Sequence, residues 1–387
     1  MALTFLERRP DSGLGNIRSS PSDPSRNVDW VLLLTQGVLT VIGCLVVYSA
    51  SRNRIDGNPY AFATRQVVFA IIASVVMVAV MTVDYEWFKE RASFLYGATI
   101  ALLVLLLLMG FAAGQGRISF DFGPFNLQPA ELAKFTVLLY LAVYLAEGRS
   151  EEVTYARFLG GLIMVGIPTV LVVIQPDLGT GSVLVSVAMG VLLVAGAKPR
   201  YIALISAMSL ATVVAAFVGG FVDNYQKQRL RVFFDQNTTD DQLQDAVYQV
   251  RNAVRALGTG GIWGQGWLQG RLTNDGSVPV MWADFPFAAV GEQFGFIGCV
   301  VMLGLFVVAL MRIWRIASLS RDLLGTYLCA GVFTMLLWQV FQNVGMTLGI
   351  MPVTGLPLPF ISYGGSSLIT YFAMFGIVQS VHMRRMR

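Results

Sequence analysis

Apolar residues run almost unbroken over stretches of about 20 positions, the length an α-helix needs to cross a roughly 30 Å hydrocarbon layer, and such stretches recur about ten times. They fall near Trp30–Ala50, Gln66–Val83, Ser93–Ala113, Pro129–Leu145, Phe158–Ile174, Leu178–Ala197, Tyr201–Val222, Phe285–Met311, Leu323–Met351 and Ser362–Met383. Most connections between them are short. The exception, about 223–284, is too long for a simple turn and predicts structure of its own. Within it Leu243, Ala246, Val247, Val250, Ala253, Val254 and Leu257 repeat at helical spacing, with Asp245, Arg251 and Arg255 off the stripe. That pattern predicts an amphipathic helix lying on a membrane surface. The following GTGGIWGQGWLQG, 258–270, reads on glycine content as a flexible loop. No GKS or GKT follows, which excludes a P-loop. The segment before Trp30 lacks the apolar core of a cleavable signal peptide, and residues 1–29 read as a disordered tail.

The expected fold is therefore an all-α polytopic membrane protein: about ten transmembrane helices, residues 30–387, with one structured loop between spans seven and eight. Composition agrees, since 55% of the 387 residues are hydrophobic and only 13% are charged. A mean hydropathy of +0.65 leaves too little polar surface for a soluble domain. The +4 net charge carries topology. With a cytoplasmic N-terminus, Lys89, Arg91, Arg149, Arg157, Lys198, Arg200, Arg312, Arg315, Arg321 and Arg384 all fall on the inner side, and the C-terminus is cytoplasmic too. No soluble module presents a basic face, so nucleic acid is not an expected partner. Cys44, Cys299 and Cys329 lie inside predicted spans and offer neither a disulfide framework nor a metal site.

Ionisable and amide side chains in a bilayer are costly, which makes each a functional candidate. Five groups qualify. QPAELAK opens the fourth span, with Glu131 and Lys134 three apart on one helical face and Arg117 upstream. QPDLGTG, with Asp177, joins spans five and six. Asp284 and Glu292 stand at the start of span eight. Gln339, Asn343 and Thr347 form one stripe on span nine, and the Pro- and Gly-rich 352–367, with Ser362 and Ser366, joins spans nine and ten. Counting spans puts all five near the outer face. Together with Arg65 they predict a polar cavity open to the outside, suited to an anionic lipid-linked head group. Each also has a plain structural reading: ion pair, interhelical amide, helix cap or close packing.

Asp284 sits in WADFPF, between Trp282 and two phenylalanines. A carboxylate with a pKa near 4 is a poor base at neutral pH, and burial against these rings raises it toward a useful range. That makes Asp284 a candidate general base; capping the eighth span, with Pro286 in its first turn, is the alternative.

WQVFQNVGMTLGIMPVTGLPLPFISYGGSS, QPAELAK, QPDLGTG and ADFPFAAVGEQFGFIG together resemble the SEDS family of cell-wall polymerases. MPVTGLPLPF is closer to its elongation branch, the RodA proteins, than to its division branch, the FtsW proteins. The resemblance implies a ten-span peptidoglycan glycosyltransferase of the bacterial cytoplasmic membrane. It would join lipid II units, release undecaprenyl pyrophosphate and work with a class B penicillin-binding protein. By position it implies Asp284 as the base for the acceptor hydroxyl. Glu131, Lys134, Arg117, Asp177 and Arg65 match cavity residues. A divalent cation, Mg2+ or Mn2+, is implied too, with no ligand set readable. Two departures stand out: Val280 follows Pro279 where the family commonly has Glu, and Ala283 replaces a Thr. Ile118 stands where a Trp usually follows the arginine. Two other functions remain open on the residues: a non-catalytic scaffold for a transpeptidase, and a lipid II flippase, since a polar cavity in a helix bundle also suits a transporter.

Overall fold

The computed structural model describes residues 27–53, 58–112, 118–123, 125–148, 153–218, 224–234 and 244–386. Each of the ten apolar runs contains a helix: α1 Trp30–Ser51, α2 Ala61–Thr82, α3 Tyr85–Ala112, α4 Pro129–Ala146, α5 Tyr155–Ile174, α6 Leu178–Val194, α7 Pro199–Val218, α11 Pro286–Ser318, α12 Leu323–Thr347 and α13 Gly365–Met383. Seven of them, α1 to α5 with α11 and α12, are long and apolar enough to cross a membrane. The long connector contributes α8 Asn224–Phe234, α9 Gln244–Gly260 and α10 Arg271–Asp275. Of these the sequence pattern anticipates only α9.

The all-α expectation needs one correction. Phe120–Phe122 (β1) and Phe125–Leu127 (β2) form an antiparallel hairpin between α3 and α4, with Phe120 opposite Leu127 and Gly123 at φ 70° in the turn. Strands this short are invisible to a two-residue periodicity. Residues 1–26 of the expected tail lie outside the described residues, but Asp29 is ordered and only 2% exposed.

Burial sorts the helices. α4 and α12 are buried over most of their length and form the centre, while α2, α3 and α5 present most of their side chains outward. Those outward faces carry Val67, Ile71, Val75, Phe94, Leu105, Leu108, Ile163 and Ile167, as a lipid-facing surface requires.

One end of the bundle is closed by charge. Asp29 caps α1, its Oδ1 accepting from the Leu32 N–H at 2.9 Å, and its carboxylate pairs with Arg312 of α11 at 2.5 Å. The Gln379 amide of α13 matches the Asp29 backbone in both directions, at 3.0 and 2.9 Å. Asp322 caps α12 and accepts from the Tyr85 hydroxyl at 2.7 Å. Arg384 donates to the Thr82 and Met81 carbonyls at the end of α2, so a cation meets the negative end of a helix.

Near the opposite end α11 is broken. Gly295 takes φ 66°, ψ −163°, which splits the helix into Pro286–Phe294 and a long remainder. The backbone groups freed by the break are satisfied from the glycine-rich segment. Phe296 and Ile297 N–H groups donate to the Gly261 and Ile262 carbonyls at 2.9 and 3.2 Å, and Gln265 and Gly266 N–H groups donate to the Glu292 and Gln293 carbonyls at 2.9 and 3.0 Å. Bilayer or protein interior offers no water to do this. The segment is therefore a closely fitted brace, which corrects the expectation of a flexible loop. The glycines are what let two backbones meet, because a Cβ at Gly260, Gly264 or Gly295 would strike the opposing backbone. Gly295→Ala combines such a clash, 2.6 Å from the Ile262 carbonyl carbon, with a backbone conformation that is essentially confined to glycine and alone costs on the order of 1–3 kcal/mol. Its expected result is a lowered thermal unfolding midpoint in detergent; an unchanged midpoint would show that the break is not anchored by this brace.

The prediction for α9 is also corrected. Of the expected stripe, Val247, Val250 and Ala253 are buried, together with Ala256, on a helix packed against α11 and the neighbouring α12, while Val254 is 41% exposed. Protein offers that face a closer-packed partner than a headgroup layer does.

Candidate active site

Asp284 ends a turn that runs from Val280, whose carbonyl accepts from the Ala283 and Asp284 N–H groups, each at 3.0 Å. Val280 itself has φ 50°, a left-handed conformation that is rare for a β-branched residue and costs on the order of 1–3 kcal/mol. Three successive carbonyls of this turn are held from outside. Trp282 accepts from the Tyr363 N–H at 2.9 Å, Ala283 from the Ser362 hydroxyl at 2.6 Å, and Asp284 from the Asn343 amide at 3.0 Å. Asn343 also donates to the Leu356 carbonyl at 2.8 Å, and Ser362 Oγ accepts from the Leu358 N–H at 2.7 Å. The turn and the 352–364 segment are thus one unit, clamped to α12. Asp284 does not act as the side-chain cap of α11, where Phe285 is the N-cap residue and shows no side-chain cap bond.

Gln66 of α2 extends the clamp. Its amide donates to the Ser362 carbonyl at 3.1 Å and accepts from the Gly364 N–H at 3.4 Å. Phe62, one turn earlier, stacks near Trp282 and Tyr363, with ring centroids 5.2 and 5.0 Å away. Arg65 lies between them in sequence and is exposed.

A cation faces Asp284 that sequence reasoning did not single out. Arg229 of α8 donates to the Val353 carbonyl at 3.3 Å. A Cβ built on Gly355 would lie 3.4 Å from Arg229 Nη1 and 3.9 Å from Asp284 Oδ1, so the two charged groups look at each other across the bare glycine. Asp284 keeps part of its surface accessible, yet protein walls the carboxyl on its remaining sides. Burial pushes the Asp284 carboxyl above the usual carboxylate range, and the Arg229 charge pulls partly against that rise. Nothing in α8 marks Arg229 as special, because its partner lies in a distant segment.

The other candidates divide. Glu131 and Lys134 form the expected pair at 2.6 Å, 2% and 0% exposed. Lys134 Nζ also stands 5.7 Å over the Tyr371 ring. Among the described residues Glu131 Oε2, both ends of Gln339, Asn343 Oδ1 and the Tyr371 hydroxyl are buried without a hydrogen-bond partner. Such groups are costly in a packed interior. Asp177 is the N-cap of α6, accepting from the Thr180 N–H at 2.9 Å and from Gln128 Nε2 at 3.0 Å. Ser366 links the hairpin to α13, donating to the Asn126 carbonyl at 2.5 Å and accepting from the Gln128 N–H at 3.3 Å. Thr347 turns back on its own helix, donating to the Asn343 carbonyl at 2.9 Å.

Glu292 leaves the group. It is fully buried and caps α10, accepting from the Leu272 and Thr273 N–H groups at 2.7 and 2.9 Å and from the Thr273 hydroxyl at 2.5 Å. Arg117 lies outside the described residues. The expected open polar cavity is also revised at Glu131 and Lys134, which are closed off by packing. A groove of about 860 Å3 lies elsewhere, between α1 and α2, lined by apolar residues and by Gln36, Thr40 and Ser74. None of the site residues lines it. No group of three or more His, Cys, Asp or Glu side chains converges among the described residues.

Residues 29–387 match the family described as "Cell cycle protein", whose members are FtsW, RodA and SpoVE. The chain belongs to this family. Among family members, the probable peptidoglycan glycosyltransferase FtsW of Geobacter metallireducens is 34% identical over 366 residues, covering 92% of this chain and 95% of that protein. The peptidoglycan glycosyltransferase RodA of Treponema pallidum is 30% identical over 431 residues, with 92% and 98% covered. A solved structure described as "Structural coordination of polymerization and crosslinking by a peptidoglycan synthase complex" superposes with a TM-score of 0.75 at 29% identity, covering 93% of this chain and 99% of that one. The family assignment and the helix pattern make this a multi-pass membrane protein. The RodA-like and FtsW-like branches of the family both appear among these relatives.

Proposed function

We propose that the chain is a peptidoglycan glycosyltransferase that polymerises lipid II at the outer face of the bacterial cytoplasmic membrane. In this reading the ten apolar helices are its spans, both termini are cytoplasmic, the charged Asp29 end faces inward and the Asp284 end faces outward. The supporting observation is Asp284: a carboxyl of raised proton affinity, on a backbone gripped at three successive carbonyls, opposite Arg229. Asp284 takes the proton of the acceptor sugar 4-hydroxyl as its oxygen attacks the donor anomeric carbon. The bond from that carbon to phosphate breaks, and undecaprenyl pyrophosphate leaves with inversion at carbon. A base works best with a pKa near the operating pH, which burial of Asp284 favours. Arg229 and Arg65 supply positive charge for the pyrophosphate. A divalent cation, when bound, would neutralise the leaving pyrophosphate.

The proposed partner is a class B penicillin-binding protein, supported by the structural kinship with a synthase complex that couples polymerisation to crosslinking. The VTGLP turn, Val353–Pro357, favours the elongation branch. A flippase fits less well, because alternating access needs a polar path to both faces, and the Asp29 end is sealed by its ion pair and amide clamp. The test is formation of glycan chains from labelled lipid II by the purified chain with its transpeptidase. Failure of the wild-type pair to polymerise would hand the assignment to the scaffold reading.

The Arg229 charge gives a pH prediction. Asp284 must be ionised to act, so activity falls as pH drops through its folded-state pKa. Arg229 holds that pKa down, and Arg229→Met should move the acidic limb of the pH–rate profile to higher pH, with Arg229→Lys intermediate. Coincident limbs for all three proteins would remove Arg229 from the site's electrostatics.

A further inference from the structure

The glycine-rich brace carries two large apolar side chains that stand outward among the described residues: Ile262 is 63% exposed and Trp263 80%. Their position is fixed by hydrogen bonds. The Ile262 carbonyl accepts from the Ile297 N–H at 3.2 Å and the Gly261 carbonyl from the Phe296 N–H at 2.9 Å, so the tip is pinned beside those two residues of α11. Phe296 is itself 66% exposed, and Ile297, Val300 and Val301 continue an outward apolar face down the helix. This face belongs to the most apolar of the seven described helices that are long and apolar enough to cross a membrane.

Depth along α11 can be read from its own residues. Trp314, 60% exposed, stands near the Asp29 end, two residues beyond Arg312, which pairs with Asp29. From Ile297 to Trp314 the unbroken helix rises by about 26 Å, at roughly 1.5 Å per residue. That is close to the roughly 30 Å of a hydrocarbon layer. Tryptophan concentrates at both boundaries of that layer, where its ring is apolar and its N–H meets water and headgroups. Trp314 and the tip at the level of Ile297 are thus separated by close to the thickness of such a layer.

We propose that Ile262 and Trp263 form a membrane anchor, inserted among the lipids of the leaflet at the Asp284 end, alongside the lipid face of α11. The occupant of this patch is lipid, because the patch continues the outward apolar face of a helix long and apolar enough to span a membrane and lies one layer thickness from Trp314. The anchor would hold the brace, and through it the broken segment Pro286–Phe294 that follows Asp284, at a set height in the bilayer. The inference needs only the chain in a membrane and stands apart from the reaction assigned above.

The test compares tryptophan emission of the full chain with Trp263→Phe in nanodiscs, the difference being the Trp263 signal. The expected result is loss of that signal when the acyl chains carry bromine near the glycerol end, and its persistence in aqueous iodide. Quenching by iodide without quenching by bromolipid would place the tip in water and overturn the proposal. Quenching by neither would put a protein partner on the patch and overturn it equally. Trp263→Phe keeps an exposed apolar ring, so folding is not at stake, and Trp314→Phe read in the same way checks the opposite boundary.

Discussion

Asp284→Asn should lower glycan polymerisation by roughly 10²–10⁴-fold, the contribution of a positioned general base, while leaving the fold and the association with the transpeptidase intact. The amide is nearly isosteric with the carboxylate but cannot accept the acceptor hydroxyl's proton. The three bonds that fix the turn end on backbone carbonyls of Trp282, Ala283 and Asp284, so none of them is lost in the variant. Fold and function are thereby separable. The measurement is chain formation from labelled lipid II, run beside unfolding and co-purification of the pair. Polymer at near wild-type rate from a folded Asn variant would end the general-base assignment. Asp284→Glu, which keeps the base but moves it, is expected to retain part of the activity.

The second large effect concerns stability. Removing Lys134 alone, as Lys134→Met, leaves the Glu131 carboxylate buried without its cation, a change that costs about 3–5 kcal/mol for an enclosed pair. The pair is 2.6 Å apart with both side chains shielded, so solvent cannot substitute for the lost partner. Glu131→Gln alone strands the ammonium in the same way. The double variant Glu131→Gln/Lys134→Met removes both charges and should recover most of the loss. Unfolding in detergent, read by tryptophan emission, gives the double-mutant cycle directly. Single variants as stable as wild type would show that the pair opens to water. If the double variant folds but does not polymerise, the charges serve the reaction as well as the core.

The long apolar helices were legible because a bilayer demands about 20 consecutive apolar residues, a constraint that few other segments satisfy. The Glu131–Lys134 contact was legible for a similar reason, since three residues on a helix fix proximity without any tertiary knowledge. What escaped depends on segments distant in sequence. The break at Gly295 is stable because residues 261–266 supply its missing bonds, and neither stretch declares the other. Glu292 read as a companion of Asp284 by spacing alone, but α10 presents two bare N–H groups that it serves instead. Arg229 could be matched to Asp284 only after Gly355 had brought α8 and the turn together. Asp177 illustrates a reading that stayed open by nature: its oxygens cap α6 and hold Gln128, and both bonds form at the rim where a substrate site was expected.

The way the Asp284 turn is held also bears on how such a site can change over generations. Tyr363, Ser362 and Asn343 grip carbonyl oxygens, which every amino acid carries, and the two N–H groups that close the turn end on the carbonyl of Val280. None of these bonds is made by the side chains at 280 and 283. A change of side chain at Ala283 would remove none of the bonds that hold Asp284. The side chains at 280 and 283 can thus be exchanged while the backbone frame that holds Asp284 is kept.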